Sequence, residues 1–94
     1  MNYDTVIIGG GVSGLGAAIY AGRFQMKTAV VAEKKGGTIL STNDIANYPG
    51  FRQITGMDLA DKLEEHAKDY NVEIIEAKAT RIEKCPKGCF KVYT

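Results

Sequence analysis

Six residues near the amino terminus, Gly9-Gly10-Gly11-Val12-Ser13-Gly14, constrain this chain more than any other feature in it. They follow Thr5-Val6-Ile7-Ile8, a short apolar run rich in β-branched residues. Such a run reads as a strand buried on both faces, the kind found inside parallel sheets. After the glycines, the pattern turns helical from Ser13 to Gln25, with Leu15, Ile19, Gly22 and Met26 near one stripe. Gly14, Ala17, Ala18 and Ala21 keep that helix slim enough to lie close on a sheet, and Arg23 suits its C-terminal dipole. A second β-branched run, Thr28-Ala29-Val30-Val31-Ala32, stops at Glu33. Strand, glycine turn, helix and strand together make a βαβ unit with a right-handed crossover.

Gly9, Gly11 and Gly14 match G-x-G-x-x-G in the setting its chemistry requires. Gly9 permits the tight turn out of the strand, and Gly11 has no side chain to hold a pyrophosphate off the backbone. Gly14 lets helix and strand approach. The helix N-terminus offers free amides and the positive end of a dipole to phosphate. Glu33 stands 19 residues after Gly14, at the end of the next strand, and Lys34 follows it. A carboxylate there accepts hydrogen bonds from both ribose hydroxyls of an adenosine and repels a 2′-phosphate. These residues point to a dinucleotide and leave NAD and FAD both open.

The remainder of the chain extends the pattern. Lys34 to Thr55 has neither period, although it contains Gly36-Gly37, Thr38, Ser41-Thr42-Asn43-Asp44 and Asn47-Tyr48-Pro49-Gly50. Connections longer than about 12–15 residues are uncommon unless functional or disordered. With many hydrogen-bonding groups and no charge run, this segment reads as an ordered loop around a ligand, long enough to follow FAD towards its isoalloxazine. A second helix is expected from about Met57 to Tyr70, capped by Thr55 with Asp58 three residues on. Its buried stripe would be Leu59, Leu63, Ala67 and Tyr70, with Glu64 among the solvated charges and His66 a solvated residue on the polar edge. Val72 to Ile75 gives a third strand. Ala79–Lys84 and Phe90–Tyr93 read as a hairpin around Cys85-Pro86-Lys87-Gly88-Cys89.

Composition narrows the function class. Lys+Arg 12 against Asp+Glu 11 excludes a strongly basic nucleic-acid binder and an acidic tail. No apolar run approaches the roughly 20 residues that span a bilayer. Met1-Asn2-Tyr3-Asp4 lacks the positive region of a secretory signal, and two cysteines are too few for a disulfide scaffold, so a cytoplasmic location is the default. Cys85 and Cys89 are spaced C-x3-C around a turn, without the helix N-terminus that activates a redox thiolate. Two inert thiols are the expectation. A cross-strand disulfide is the second reading and a catalytic pair the third. No metal-ligand set, Ser-His-Asp arrangement or P-loop is evident.

Three stretches resemble a known family: the strand followed by GGGVSGLGAAIYAGR, then EKKGGTILSTNDIANYPGF, then ITGMDLADKLEEHA. Together they are similar to the N-terminal, FAD-binding part of thioredoxin reductase and close relatives in the pyridine nucleotide-disulfide oxidoreductase family. The resemblance covers essentially the whole chain. It implies a Rossmann-like three-layer fold with a parallel sheet and a β-hairpin at the C-terminal end. It also implies that Gly9, Gly11, Val12, Ser13, Gly14, Glu33 and Lys34 hold the ADP half of FAD. Gly36, Gly37, Thr38 and Thr42 would line the ribityl and flavin portion, with Asn47 beside the isoalloxazine. Thr38 stands where the family usually has Gln, one Ser-Thr pair replaces a longer threonine run, and Gly22 replaces a usual Ala at about 1 kcal/mol of helix propensity.

On this resemblance residues 1–94 form the front portion of a FAD-binding domain. The nicotinamide domain with its Cys-x-x-Cys and the returning FAD segment are not in these residues, and the chain alone is expected not to complete catalysis. The whole protein would pass hydride from NAD(P)H through flavin to a disulfide, with thioredoxin or a similar disulfide protein as partner. A homodimer or a partner chain is expected, and neither nucleic acid nor membrane. A ferredoxin-dependent or other NAD(P)H-flavin reductase of the same fold is the alternative within the class. A non-catalytic nucleotide-binding or interaction module acting with a partner chain is the alternative outside it.

Overall fold

The computed structural model describes residues 2–34 and 40–94. The expectations for Gly36, Gly37 and Thr38 lie outside the described residues. Three parallel strands form the sheet: β1 (Thr5–Ile8), β2 (Thr28–Ala32) and β3 (Glu73–Glu76), with β2 in the middle. Ile7, Val30 and Ile74 align in one row across it, and Ile8, Val31 and Ile75 in the next. Strand side chains alternate between faces, so these rows face opposite ways.

The first row packs with the two helices, α1 (Val12–Arg23) and α2 (Gly56–Lys68), which also pack on each other. Leu15, Ala18 and Ile19 of α1 meet Leu59, Leu63 and Ala67 of α2 in one core. Each large side chain buried there is worth about 1.5–3 kcal/mol relative to exposure. All five residues of β2 are buried, as a central strand requires. β1 departs from the expectation of burial on both faces: it is an edge strand, half-buried, and Ile8 is 48% exposed.

Both helices end earlier than their spacing suggests. The α1 helix stops at Arg23 because Gln25 turns left-handed (φ 61°), while Met26 lies beyond the helix and is exposed. Asn71 repeats the device after α2 (φ 62°). The cap of α2 forms as expected, with Thr55 Oγ1 accepting from the Asp58 amide at 3.1 Å. Glu64 differs: it is buried, and Lys68 Nζ lies 2.9 Å from its Oε1. Gly22 also differs from a mere propensity penalty. A Cβ built there would lie 2.6 Å from Tyr70 Cβ, so the missing side chain lets α1 meet the end of α2.

The later loop is tied to the core. Ile45 and Ile54 are buried and bridge antiparallel through reciprocal backbone bonds of 2.8 and 3.0 Å. Between them the Phe51 amide closes a turn onto the Tyr48 carbonyl at 3.1 Å, with Pro49 and Gly50 at its centre and Gly50 at φ 98°. A positive φ at that position suits glycine.

β4 (Arg81–Lys84) and β5 (Phe90–Tyr93) form the expected hairpin, a separate antiparallel sheet. Its turn is closed by Gly88 N donating to Cys85 O at 3.0 Å and Cys85 N to Cys89 O at 2.8 Å. That pairing brings the two Cα atoms to 4.9 Å, within disulfide range. Cys85 and Cys89 are accordingly joined by a disulfide, which overturns the expectation of two inert thiols.

Candidate nucleotide-binding site

The glycine loop and the end of β2 come together through strand register. Ile8 is paired with Val31, so the chain leaves β1 level with the end of β2, and Gly9 N donates to Val31 O at 2.8 Å. Gly9 turns at φ 114°, a conformation that side chains disfavour. Gly10 is the residue that spacing alone missed: a Cβ there would sit 2.6 Å from Ala32 Cβ. Its place in the middle of an unbroken Gly-Gly-Gly run was its sequence signal. Glu33 and Lys34 follow Ala32 directly and are exposed beside the loop.

The other two fingerprint glycines separate by cause. A Cβ at Gly14 would meet Gly9 O at 2.0 Å and Ile7 Cγ2 at 3.4 Å, so Gly14 is required by the protein's own packing. Among the described residues, a Cβ at Gly11 would meet nothing within 4 Å. Gly11 has ordinary extended backbone (φ −78°, ψ −170°), so neither packing nor conformation explains it.

Gly11 is also the N-cap of α1. No side chain caps that helix, and its first turn, which includes Val12, Ser13 and Gly14, has no acidic residue. A helix start leaves its first amides without intrahelical partners and carries about half a positive charge. α2 shows the contrast, with Thr55 as cap and Asp58 in its first turn. The α1 start therefore has neither the side-chain cap nor the first-turn carboxylate that α2 has.

Thr42 and Asn47 are less closely assembled with the loop. Thr42 is held by its carbonyl, which accepts from Gly56 N at 2.7 Å, and Asn47 immediately precedes the Tyr48–Phe51 turn. Both are exposed, and among the described residues no hydrogen bond joins their side chains to the glycine loop. His66 is exposed on α2, its ring 5.7 Å from that of Tyr70. Among the described residues no helix is long and apolar enough to cross a membrane.

A parallel sheet, a βαβ unit with a glycine turn and an open helix start define a Rossmann-like α/β protein. Residues 3–93 match the model of the pyridine nucleotide-disulphide oxidoreductase family, and the chain belongs to that family. Among solved structures it is similar to Lactococcus lactis thioredoxin reductase, with a TM-score of 0.91 and 36% identity over 98% of this chain and 30% of that one. It is 41% identical over 83 residues to a thioredoxin reductase of Peptoclostridium acidaminophilum, covering 86% of this chain and 26% of that protein. It is also 41% identical over 83 residues to an NADH dehydrogenase of Bacillus subtilis, covering 87% of this chain and 16% of that protein. The chain thus spans less than a third of the length of each of these relatives.

Proposed function

We propose that residues 1–94 are the N-terminal portion of a FAD-binding domain, from a flavoprotein that moves electrons from NAD(P)H to a disulfide. The observation that carries the reading is the uncapped start of α1 with open space at Gly11, beside the end of β2 where Glu33 stands. Gly11 and the amides of Val12, Ser13 and Gly14 hold the pyrophosphate, while Glu33 accepts from the adenosine ribose and Lys34 lies alongside. Thr42 and Asn47 line the path of the flavin half. When bound, FAD supplies a two-electron redox centre; the protein's part is binding, orientation and electrostatics.

The likeness to thioredoxin reductases supports a protein disulfide of thioredoxin type as the whole protein's acceptor. A second reading, a flavin reductase that delivers electrons elsewhere, is favoured by the NADH dehydrogenase relative. Equilibrium dialysis of the chain against FAD tests the site. Wild-type chain is expected to bind. Gly11→Val is expected to weaken binding by about tenfold or more, equivalent to about 1.4 kcal/mol, while the fold is kept and the melting temperature falls by only a few degrees, because valine is a poorer N-cap than glycine. Equal binding by the two would remove the glycine loop from the site.

A further inference from the structure

The Cys85–Cys89 disulfide sits at the tip of the β4–β5 hairpin, where every residue from Arg81 to Lys91 is exposed except the half-buried Cys85. Its geometry is that of a poor structural staple. The cysteines are only four apart in sequence, and the gain from closing a loop shrinks as the loop shortens. The turn is already closed by the two backbone hydrogen bonds between Cys85 and Gly88 and between Cys85 and Cys89. Below it, Lys84 to Arg81 pair in register with Phe90 to Tyr93. Opening the sulfur–sulfur bond leaves all of those contacts in place.

Access and charge both favour exchange. Cys89 is exposed, so a thiolate can reach its Sγ from solvent. Lys84 precedes the bridge, Lys87 lies within the loop and Lys91 follows it, and among the described residues none of the three has an ion pair. The nearest carboxylate in sequence, Glu83, is turned to Arg81 at 3.6 Å. Cations around a disulfide draw in an attacking thiolate and stabilise the thiolate that leaves.

We propose that Cys85–Cys89 is an exchangeable redox site that accepts two electrons from a dithiol reductant, apart from the glycine loop and independent of what that loop binds. One thiolate of the reductant attacks Cys89 Sγ, forming a mixed disulfide and expelling Cys85 as a thiolate. The reductant's second thiolate then attacks its own sulfur in the mixed disulfide and expels the Cys89 thiolate. The reductant ends as a disulfide and the hairpin as a dithiol, with two electrons transferred.

The test uses the oxidised chain and dithiothreitol, with trapping by iodoacetamide and a mass count of alkylated cysteines over time. In native buffer the two thiols are expected to appear at a rate within about tenfold of that in concentrated urea, because exchange needs no unfolding. Native exchange on the order of 100-fold slower would overturn the proposal, since the bridge would then be reached only by unfolding. The reduced, alkylated chain is expected to melt within about 5 °C of the oxidised one, and a fall of more than about 10 °C would make the bridge a staple instead. In the variant Lys84→Glu/Lys87→Glu the native rate is expected to drop about threefold or more, with the difference shrinking as salt is added. An unchanged rate would overturn the part assigned to the lysines.

Discussion

Two glycines differ in what they make room for, and each substitution has its own signature. Gly14→Ala sets a Cβ against a backbone oxygen 2.0 Å away, which cannot swing aside. Overpacking commonly costs about 1–3 kcal/mol, and this site belongs at or above the upper end. At Gly22 two effects compete. Alanine gains about 1 kcal/mol of helix propensity, but its Cβ meets Tyr70 Cβ at 2.6 Å and Val72 Cγ2 at 3.3 Å. The clash wins, and Gly22→Ala is expected to lower the melting temperature by several degrees, because about 1 kcal/mol corresponds to 4–8 °C at this size. A raised melting temperature would show that the ends of α1 and α2 separate freely. A different residue effect reaches across the sheet, where the Tyr3 hydroxyl donates to Glu73 Oε2. That hydrogen bond, then desolvation and the Glu73 charge, push the Tyr3 hydroxyl above its usual 10.0. The folded value is the raised one, so this link is complete below pH 10 and is lost as pH climbs through the raised value. In an ultraviolet titration of tyrosinate, Tyr3 is expected to ionise late, and Tyr3→Phe to remove that late phase.

The two helix starts differ in how their first amides are met. Thr55 caps α2, and Thr55→Ala is expected to cost about 1 kcal/mol by urea denaturation, with no effect on nucleotide affinity. The α1 helix begins at Gly11 with no side-chain cap and no first-turn acid. Gly11→Ser would supply an oxygen for that helix at little or no cost in stability, yet it would occupy the opening. Element identity was largely legible in the sequence, because β-branched runs, the glycine fingerprint and the Thr55 cap are local signals. Ends were less legible. The left-handed residues Gln25 and Asn71 carry no glycine to announce them. The burial of Glu64 depends on what packs around α2, and the requirement at Gly10 on where Ala32 lies. The disulfide needed the pairing of residue 85 with 89, which spacing offers and only the turn's hydrogen bonds establish.

At the scale of the molecule, order is concentrated on one side of the parallel sheet. β2 is buried along its length and has a paired neighbour on each side, while α1 and α2 close over the row through Val30. The described chain is long for its width, 48 × 27 × 17 Å. The β4–β5 hairpin is its own two-stranded sheet, with all of β4 exposed and Phe90 66% exposed. A two-stranded hairpin is marginal by itself, and the Ala77 amide on the Ala32 carbonyl is the backbone bond that ties the segment before it to the main sheet. Local opening is therefore expected to be much easier in the hairpin than in β2. In native-state hydrogen exchange, the paired amides of β2 should exchange only through global unfolding. Those of β4 and β5 should exchange on the order of 100-fold faster, with little dependence on denaturant. Leu59→Ala, which removes a side chain 1% exposed in the core, should lower β2 protection by the equivalent of about 2–5 kcal/mol and leave the hairpin unchanged. Equal protection throughout, falling together in that variant, would mean that hairpin and sheet unfold as one body. A hairpin that opens alone would leave the glycine loop undisturbed while its disulfide is reduced.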